Sequence, residues 1–396
     1  MAEVIARLAL MISLVALSID AMLPALGLIG SELGVTRVND NQLIVTVLLL
    51  GLGMGQLAYG PLSDSVGRKP AIFAGLLLFM VGCGLSILAQ DFRLMLIGRF
   101  RQGLGVAGPR IVTVALVRDQ YEGRAMARIM SFVMGVFILV PALAPSLGQL
   151  ILDLAHWRWI FGSFLILAAV VALWFGLRQP ETLAPARRHP LSAGRILRAV
   201  GETVGNRITF GYTVGAGLIF GAFIGYLSLA QPILQVQYGL GDRFPRYFAV
   251  LALAIGAASY LNGRLVMRLG MQLLTELALW VLSGFSILFL VVTIHTGGHP
   301  PLWALMGYLI PAFFCIGFLF GNINALAIQP LGHIAGSAAA VIGALSTAIS
   351  LVLGSLVGQS YHGSIVPLVG GFALYSTCAL GVVRWTERGA VAVENA

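Results

Sequence analysis

Charge is what this chain lacks. Asp, Glu, Lys and Arg make up 10% of its 396 residues, against about 25% in a soluble globular protein, so there is too little charge to cover a water-facing surface. Lysine is nearly missing: the 24 basic residues include a single one, Lys69. Cysteine is sparse too. Cys83, Cys315 and Cys378 have neither the number nor the spacing of a disulfide framework or a metal site, and they read as small apolar packing residues. The six histidines are scattered. His295 and His299 stand four apart, but Gly297, Gly298, Pro300 and Pro301 oppose the helix that would bring them together. There is no D-D-x-x-D cluster. The chain therefore lacks the metal-binding acids and His/Asp sets of a membrane-embedded transferase, and it is not expected to be an enzyme.

What is present in excess is apolar length. Hydrophobic residues make up 59% of the chain, mean hydropathy is +0.94, and runs long enough to cross a hydrocarbon core (about 20 residues as helix) recur about twelve times. They fall near 8–29, 42–62, 70–90, 93–117, 129–152, 158–177, 208–231, 245–267, 272–295, 301–324, 335–359 and 364–384. The first run follows Arg7 as a signal peptide would, but Asp20 interrupts it and no A-x-A site stands out, so it reads as a retained span. The fold class expected is an all-α membrane protein of 12 transmembrane helices.

In such a protein the distribution of basic residues matters more than the formal net charge of +9. With the N-terminus cytoplasmic, sixteen Arg and Lys side chains fall on the cytoplasmic side. Five, Arg37, Arg93, Arg158, Arg243 and Arg246, fall opposite. This asymmetry places both termini in the cytoplasm, together with the Pro- and Arg-rich segment 178–207, the one candidate linker. The domains expected are a six-helix bundle over 1–177, the linker 178–207, and a second six-helix bundle over 208–396 with a short cytoplasmic tail. "GPLSDSVGRKP" after span 2 and "NGRLVMRLGMQ" after span 8 echo one another, as parallel six-span pseudo-repeats would.

The stretch "GRFRQGLGVAG" (98–108) contains the dinucleotide-binding pattern G-x-G-x-x-G. That reading needs a strand before the glycines and a helix after them, whereas here they lie inside one long apolar run. Gly103, Gly105, Ala107 and Gly108 instead form a surface on which neighbouring helices pack closely, as do Gly51 with Gly55 and the series Gly217, Gly221, Gly225. In the same run Arg99 must face a watery cavity or an acid. Asp20 is the acid expected, because helical rise puts it about 13 Å, and Arg99 about 9 Å, from the same membrane face. Arg101 is expected to snorkel to the interface. Arg110, eleven residues beyond Arg99 and on nearly the same face, has no acid at its depth and lines the cavity or bonds free carbonyls.

These residues resemble a known family. "GPLSDSVGRKP" is similar to the loop 2–3 signature of the major facilitator superfamily, with Gly60, Leu62, Asp64, Gly67, Arg68 and Lys69 in place. "RFRQGLGVAG" resembles its span 4 motif, whose arginine falls on Arg99 and is associated with proton transfer. "VPALAPSLGQLI", with Pro141, Pro145 and Gly148, resembles the span 5 antiporter motif of drug exporters, although Val140 and Gln149 depart from the commoner pattern. "SIDAMLPAL", "LVRDQY", "HWRWIF" and "PETL" extend the likeness to the bicyclomycin and chloramphenicol resistance branch of proton-coupled drug exporters.

The resemblance implies the major facilitator fold and export of small amphipathic, amphenicol-like or bicyclomycin-like drugs by alternating access. The proton is the coupling ion, Asp20 and Arg99 carry it, and no other cofactor is needed. Asp64, Arg68 and Asp119 would form a cytoplasmic latch with Gly60 and Gly67, and Pro141, Pro145 and Gly148 would kink span 5. Candidates for lining the substrate cavity are Arg110, Tyr226, Gln231, Phe313, Phe314, Asn322 and Asn324. Glu276, a few residues into span 9, is expected at the interface. The partners expected are drug substrates and membrane lipid, with no nucleic acid, and the chain is expected to be a monomer in a bacterial inner membrane. The alternative is the same fold serving as a permease for a sugar or other small metabolite.

Overall fold

The computed structural model describes residues 2–121, 123–188 and 193–394, and every regular element among them is helical. By internal packing the chain divides into two units, Met1–Ala193 and Gly194–Ala396. The division falls within segment 178–207, so the first part of the expected linker belongs to the first unit.

In the first unit the helices are α1 (Ala2–Asp20), α2 (Leu26–Glu32), α3 (Leu43–Val66), α4 (Arg68–Ile87), α5 (Phe92–Gln120), α6 (Gly123–Leu154) and α7 (Arg158–Arg178). The second holds α8 (Ala193–Gly205), α9 (Arg207–Ala230), α10 (Phe244–Leu269), α11 (Met271–His295), α12 (Leu302–Ile328), α13 (Ala335–Gln359) and α14 (Val366–Glu394). Ten stretches among the described residues are long and apolar enough to cross a membrane, and Leu139–Leu154 of α6 adds a shorter one. α5 has the length, 29 residues, but five arginines interrupt its apolar character.

Three local features set the helix ends. Asp91 caps α5, its side chain accepting from the Leu94 N–H at 2.8 Å, and Asn206 caps α9 through the Thr209 N–H at 3.0 Å. The echo between the two halves has a backbone counterpart: a single glycine joins α3 to α4 and another joins α10 to α11, with φ of 110° at Gly67 and 79° at Gly270. α6 continues as helix through Pro141 and Pro145.

The expected first span is not one continuous helix. α1 stops at Asp20, a turn and a short 3₁₀ segment (Leu23–Ala25) follow, and α2 resumes at Leu26. Pro24 explains the interruption, since it has no N–H to offer the Asp20 carbonyl four residues back.

The glycines of α5 bring its neighbours into backbone contact. α3 and α4 pack on either side of α5, and a methyl group at Gly103 would overlap the Leu48 carbonyl oxygen, or at Gly105 the Phe79 nitrogen. Gly51 and Gly55 of α3 answer from the other side, against Phe100, Leu104 and Ala107. In the second unit Gly217, Gly221 and Gly225 of α9 instead receive the side chains of Ile349, Leu353 and Val357 of α13. Gly103→Ala is therefore expected to destabilise the fold by about 1–3 kcal/mol. Gly84→Ala, where nothing lies within 4 Å, should be silent. Thermal midpoints of the two variants in detergent check this, and equal midpoints would contradict the packing argument.

Candidate functional site

The interruption of α1 organises the polar core of the first unit. Arg99, fully buried, projects from α5 onto it and spends its donors on three different acceptors. Nη2 donates to the Ser18 carbonyl at 2.7 Å, Nε to the Ile44 carbonyl at 3.0 Å, and Nη1 to Gln102 Oε1 at 2.7 Å. Gln102 passes the network on, its amide donating to the Gly82 carbonyl at 3.1 Å and Ser86 Oγ at 2.9 Å. The Phe161 ring lies 5.7 Å from the guanidinium.

The expected ion pair between Asp20 and Arg99 does not form. Arg99 reaches the chain two residues before Asp20 and takes a carbonyl that the turn leaves short of a backbone donor. Helical rise brings the two side chains together only along a straight span 1, and at the interruption the backbone itself becomes the better acceptor. Asp20 is 5% exposed, and its carboxylate has no hydrogen bond or ion pair among the described residues. α6 closes the opposite side, where a methyl group at Gly148 would overlap the Ala21 carbonyl oxygen.

Arg110 lies farther along α5, half-buried, likewise with no bonded partner among the described residues. Arg101 is exposed. Each unit is also clamped at its ends. In the first, Arg68 Nη1 donates to Asp64 at 2.5 Å and to Ser63 Oγ at 2.8 Å, while Nε donates to Asp119 at 2.8 Å. At the far end of α2, Glu32 accepts from Trp157 Nε1 at 2.8 Å, and Arg158 stacks on Trp157 at 4.3 Å. In the second unit Arg384 pairs with Glu276 at 2.7 Å, both partly exposed.

This disposition, two bundles of long apolar helices with charge buried on α1 and α5, accords with the comparison of sequences. The family profile described as Major Facilitator Superfamily matches residues 8–383. The chain belongs to this family of transporters. It is 28% identical to a "Bicyclomycin resistance protein homolog" of Haemophilus influenzae, the match covering 89% of this chain and 87% of the relative. It is 29% identical to a "Chloramphenicol resistance protein" of Pseudomonas aeruginosa, covering 87% and 81%. In fold it resembles the human organic anion transporter MFSD10 (TETRAN), with a TM-score of 0.68 at 16% identity over 97% of this chain and 98% of that one.

Of the facilitator's expected latch, Asp64, Arg68 and Asp119 come together and Gly67 sits beside them. Gly60 joins the cluster through its backbone alone: its carbonyl accepts from Ser63 Oγ at 2.9 Å, the hydroxyl that takes Arg68 Nη1, while a methyl group at Gly60 would meet nothing within 4 Å. A residue that motif and spacing do not single out completes the cluster. Glu181, within "PETL", accepts from the backbone N–H groups of Arg68 and Lys69, both at 3.0 Å, and so caps the first turn of α4. The N–H groups of Thr182 and Leu183 donate to it as well, at 2.8 and 2.9 Å. Gly67 permits the approach, since a methyl there would stand 2.5 Å from Glu181 Oε2. The signal lay in the sequence: α4 begins directly after a glycine, with its first N–H groups in need of an acceptor.

The aromatic candidates divide. Tyr226 and Phe313 are buried and pack edge to face at 4.6 Å. Phe314 points another way, to Phe318 at 5.4 Å. Asn322 exchanges two hydrogen bonds with Asn262, both at 2.9 Å, Asn324 bonds the Phe320 carbonyl one turn back, and buried Gln231 opens a π-helical turn. The surface over Tyr226 and Phe313 is made by three half-buried rings that hydropathy does not distinguish. Phe220 and Phe320 stack at 4.4 Å, and Phe223 meets Phe320 at 5.4 Å.

Two outcomes test this geometry. Arg99→Lys leaves at least one carbonyl without its donor, because an ammonium cannot span three divergent acceptors. It should cost about 1–3 kcal/mol, read as a fall in thermal midpoint and in folded yield from membranes. For Glu181, burial pushes the carboxyl up, but the N–H groups of Leu183, Lys69, Arg68 and Thr182 outweigh it and hold the group below the ordinary carboxylate range. A depressed carboxyl contributes stability above its unfolded value and loses it as pH falls through the folded one. The native chain should thus exceed Glu181→Gln in thermal midpoint by the same margin from pH 8 to pH 6, the margin vanishing only below about pH 4. A margin that shrinks between pH 8 and pH 6 would contradict the cap.

Proposed function

We propose that this facilitator is a proton-coupled exporter of small amphipathic drugs of the amphenicol or bicyclomycin kind, working by alternating access in a bacterial inner membrane. The observation that carries the reading is the state of Asp20. It is a buried carboxylate at an interrupted membrane helix, left without a partner among the described residues because Arg99 is committed elsewhere. Such a carboxylate has two ways to be neutralised, by a proton or by a donor group that a substrate brings, and it accepts only one at a time. That exclusion is what exchange of proton for substrate requires.

The names of the two relatives support drugs as the cargo. So does the surface of Phe220, Phe223 and Phe320, which offers a flat apolar ring a stacking partner. The excess of basic residues on one side supports cytoplasmic termini, and a single chain supplies both units, so a monomer suffices. The proton is the only coupling ion the reading needs.

The test is export of chloramphenicol by inside-out vesicles under an imposed pH gradient, the native chain against Asp20→Asn. The variant is expected to lose at least 90% of proton-driven export and of drug-induced proton movement while remaining folded in the membrane. Export at the native rate would sink the assignment of Asp20 as coupling carboxylate.

A further inference from the structure

α5 carries two arginines on one face whose circumstances are opposite. Eleven residues are three turns and about 20°, so Arg99 and Arg110 share a stripe, some 16 Å apart along the axis. Arg99 has acceptors on all three nitrogens and needs nothing further. Arg110 has no hydrogen bond, no ion pair and no aromatic ring against it among the described residues. Its neighbours on the stripe, Val106, Thr113 and Val117, are fully buried, whereas Arg110 is partly accessible. A second observation points the same way. Thr113, one turn on and 0% exposed, has a hydroxyl oxygen without a hydrogen-bond partner among the described residues.

A guanidinium is permanently charged, presents its donors in a planar fork, and is kept inside a membrane span only where something answers it. Arg99 shows what a scaffold arginine looks like in this helix, and Arg110 does not match it. We propose that Arg110 and Thr113 form an anion subsite, so that the substrates of this transporter include amphipathic organic anions. The carboxylate, sulfonate or phosphate would take the Arg110 fork and the Thr113 hydroxyl. The inference rests on the export reading in placing the subsite on a transport path, but its test does not.

The test uses two fluorescent probes that share an anilinonaphthalene frame, neutral N-phenyl-1-naphthylamine and 8-anilinonaphthalene-1-sulfonate, whose sulfonate stays ionised at every relevant pH. Binding is measured to the purified full chain in nanodiscs, with empty nanodiscs subtracted. The native chain is expected to bind the sulfonate at least tenfold more tightly than the neutral probe. Arg110→Gln should remove that preference while changing the neutral probe less than twofold. Arg110→Lys should keep part of it, and Thr113→Val should weaken the sulfonate about threefold. Equal affinities in the native chain, or a preference that survives Arg110→Gln, overturn the proposal. Loss of both probes by a variant that remains monodisperse does so too, since it makes Arg110 part of the scaffold. Export of the probes by inside-out vesicles is scored separately. A sulfonate preference without export of either probe counts against the export reading alone, and export of both without preference counts against the subsite alone.

Discussion

In hydrocarbon there is no water to complete a broken backbone, so an interrupted membrane helix must be mended by its neighbours. The turn after Asp20 imposes that requirement on the first unit, and much of its construction answers it. Arg99 must reach the Ser18 carbonyl, so α5 must lie close to α1. Its bulk must then be held by α3, whose Ile44 carbonyl takes Nε. The glycines at 103 and 105 make this approach possible by letting α3 and α4 come within backbone contact of α5, and Gly108 leaves room for the Tyr59 ring. α6 meets the same interruption at Gly148. Among the described residues Asp20 keeps its carboxylate unbonded, because these neighbours satisfy the backbone around it without using its side chain.

A second mending, at the other end of the unit, uses the opposite charge. There the exposed groups are N–H donors at the start of α4, and a carboxylate answers them. Glu181 lies just after α7, and Lys69 Nζ bonds the Gly176 carbonyl at 2.8 Å, so the end of α7 and the start of α4 are tied from both sides. Arg68 meanwhile holds the ends of α3 and α5 through Asp64 and Asp119. The residues just beyond α7 are therefore a working part of the first bundle, although their prolines and arginines give them the composition of a linker.

Much of this was legible as composition and spacing. Apolar length revealed the spans because the bilayer sets a minimum that chance rarely meets, and small residues at Gly51 and Gly103 marked close packing because backbone contact admits little else. The Asp64, Arg68 and Asp119 cluster was legible through family likeness. The interruption of α1 was not, because hydropathy reports which solvent a residue tolerates and says nothing of where hydrogen bonds stop. The mistaken pairing of Arg99 has the same root: a charge suggests a charge, when the stronger demand comes from a carbonyl. Phe220, Phe223 and Phe320 escape notice for a related reason, since in a helix apolar on every side periodicity does not distinguish the face that packs from the face that remains open.

The two units also differ in kind. All the charged side chains found buried among the described residues, Arg7, Asp20, Arg68 and Arg99, belong to the first. The second offers instead an aromatic surface on α9 and α12. On the export reading this divides the labour: the first unit would carry proton coupling and charge selection, and the second would supply apolar contact that tolerates many ring systems. Aromatic contact rewards area and shape and discriminates weakly between such rings, whereas a buried charge left unmatched is strongly penalised. Breadth of substrate and strictness of coupling can then coexist in one chain, because different residues, answering to different physics, set each of them.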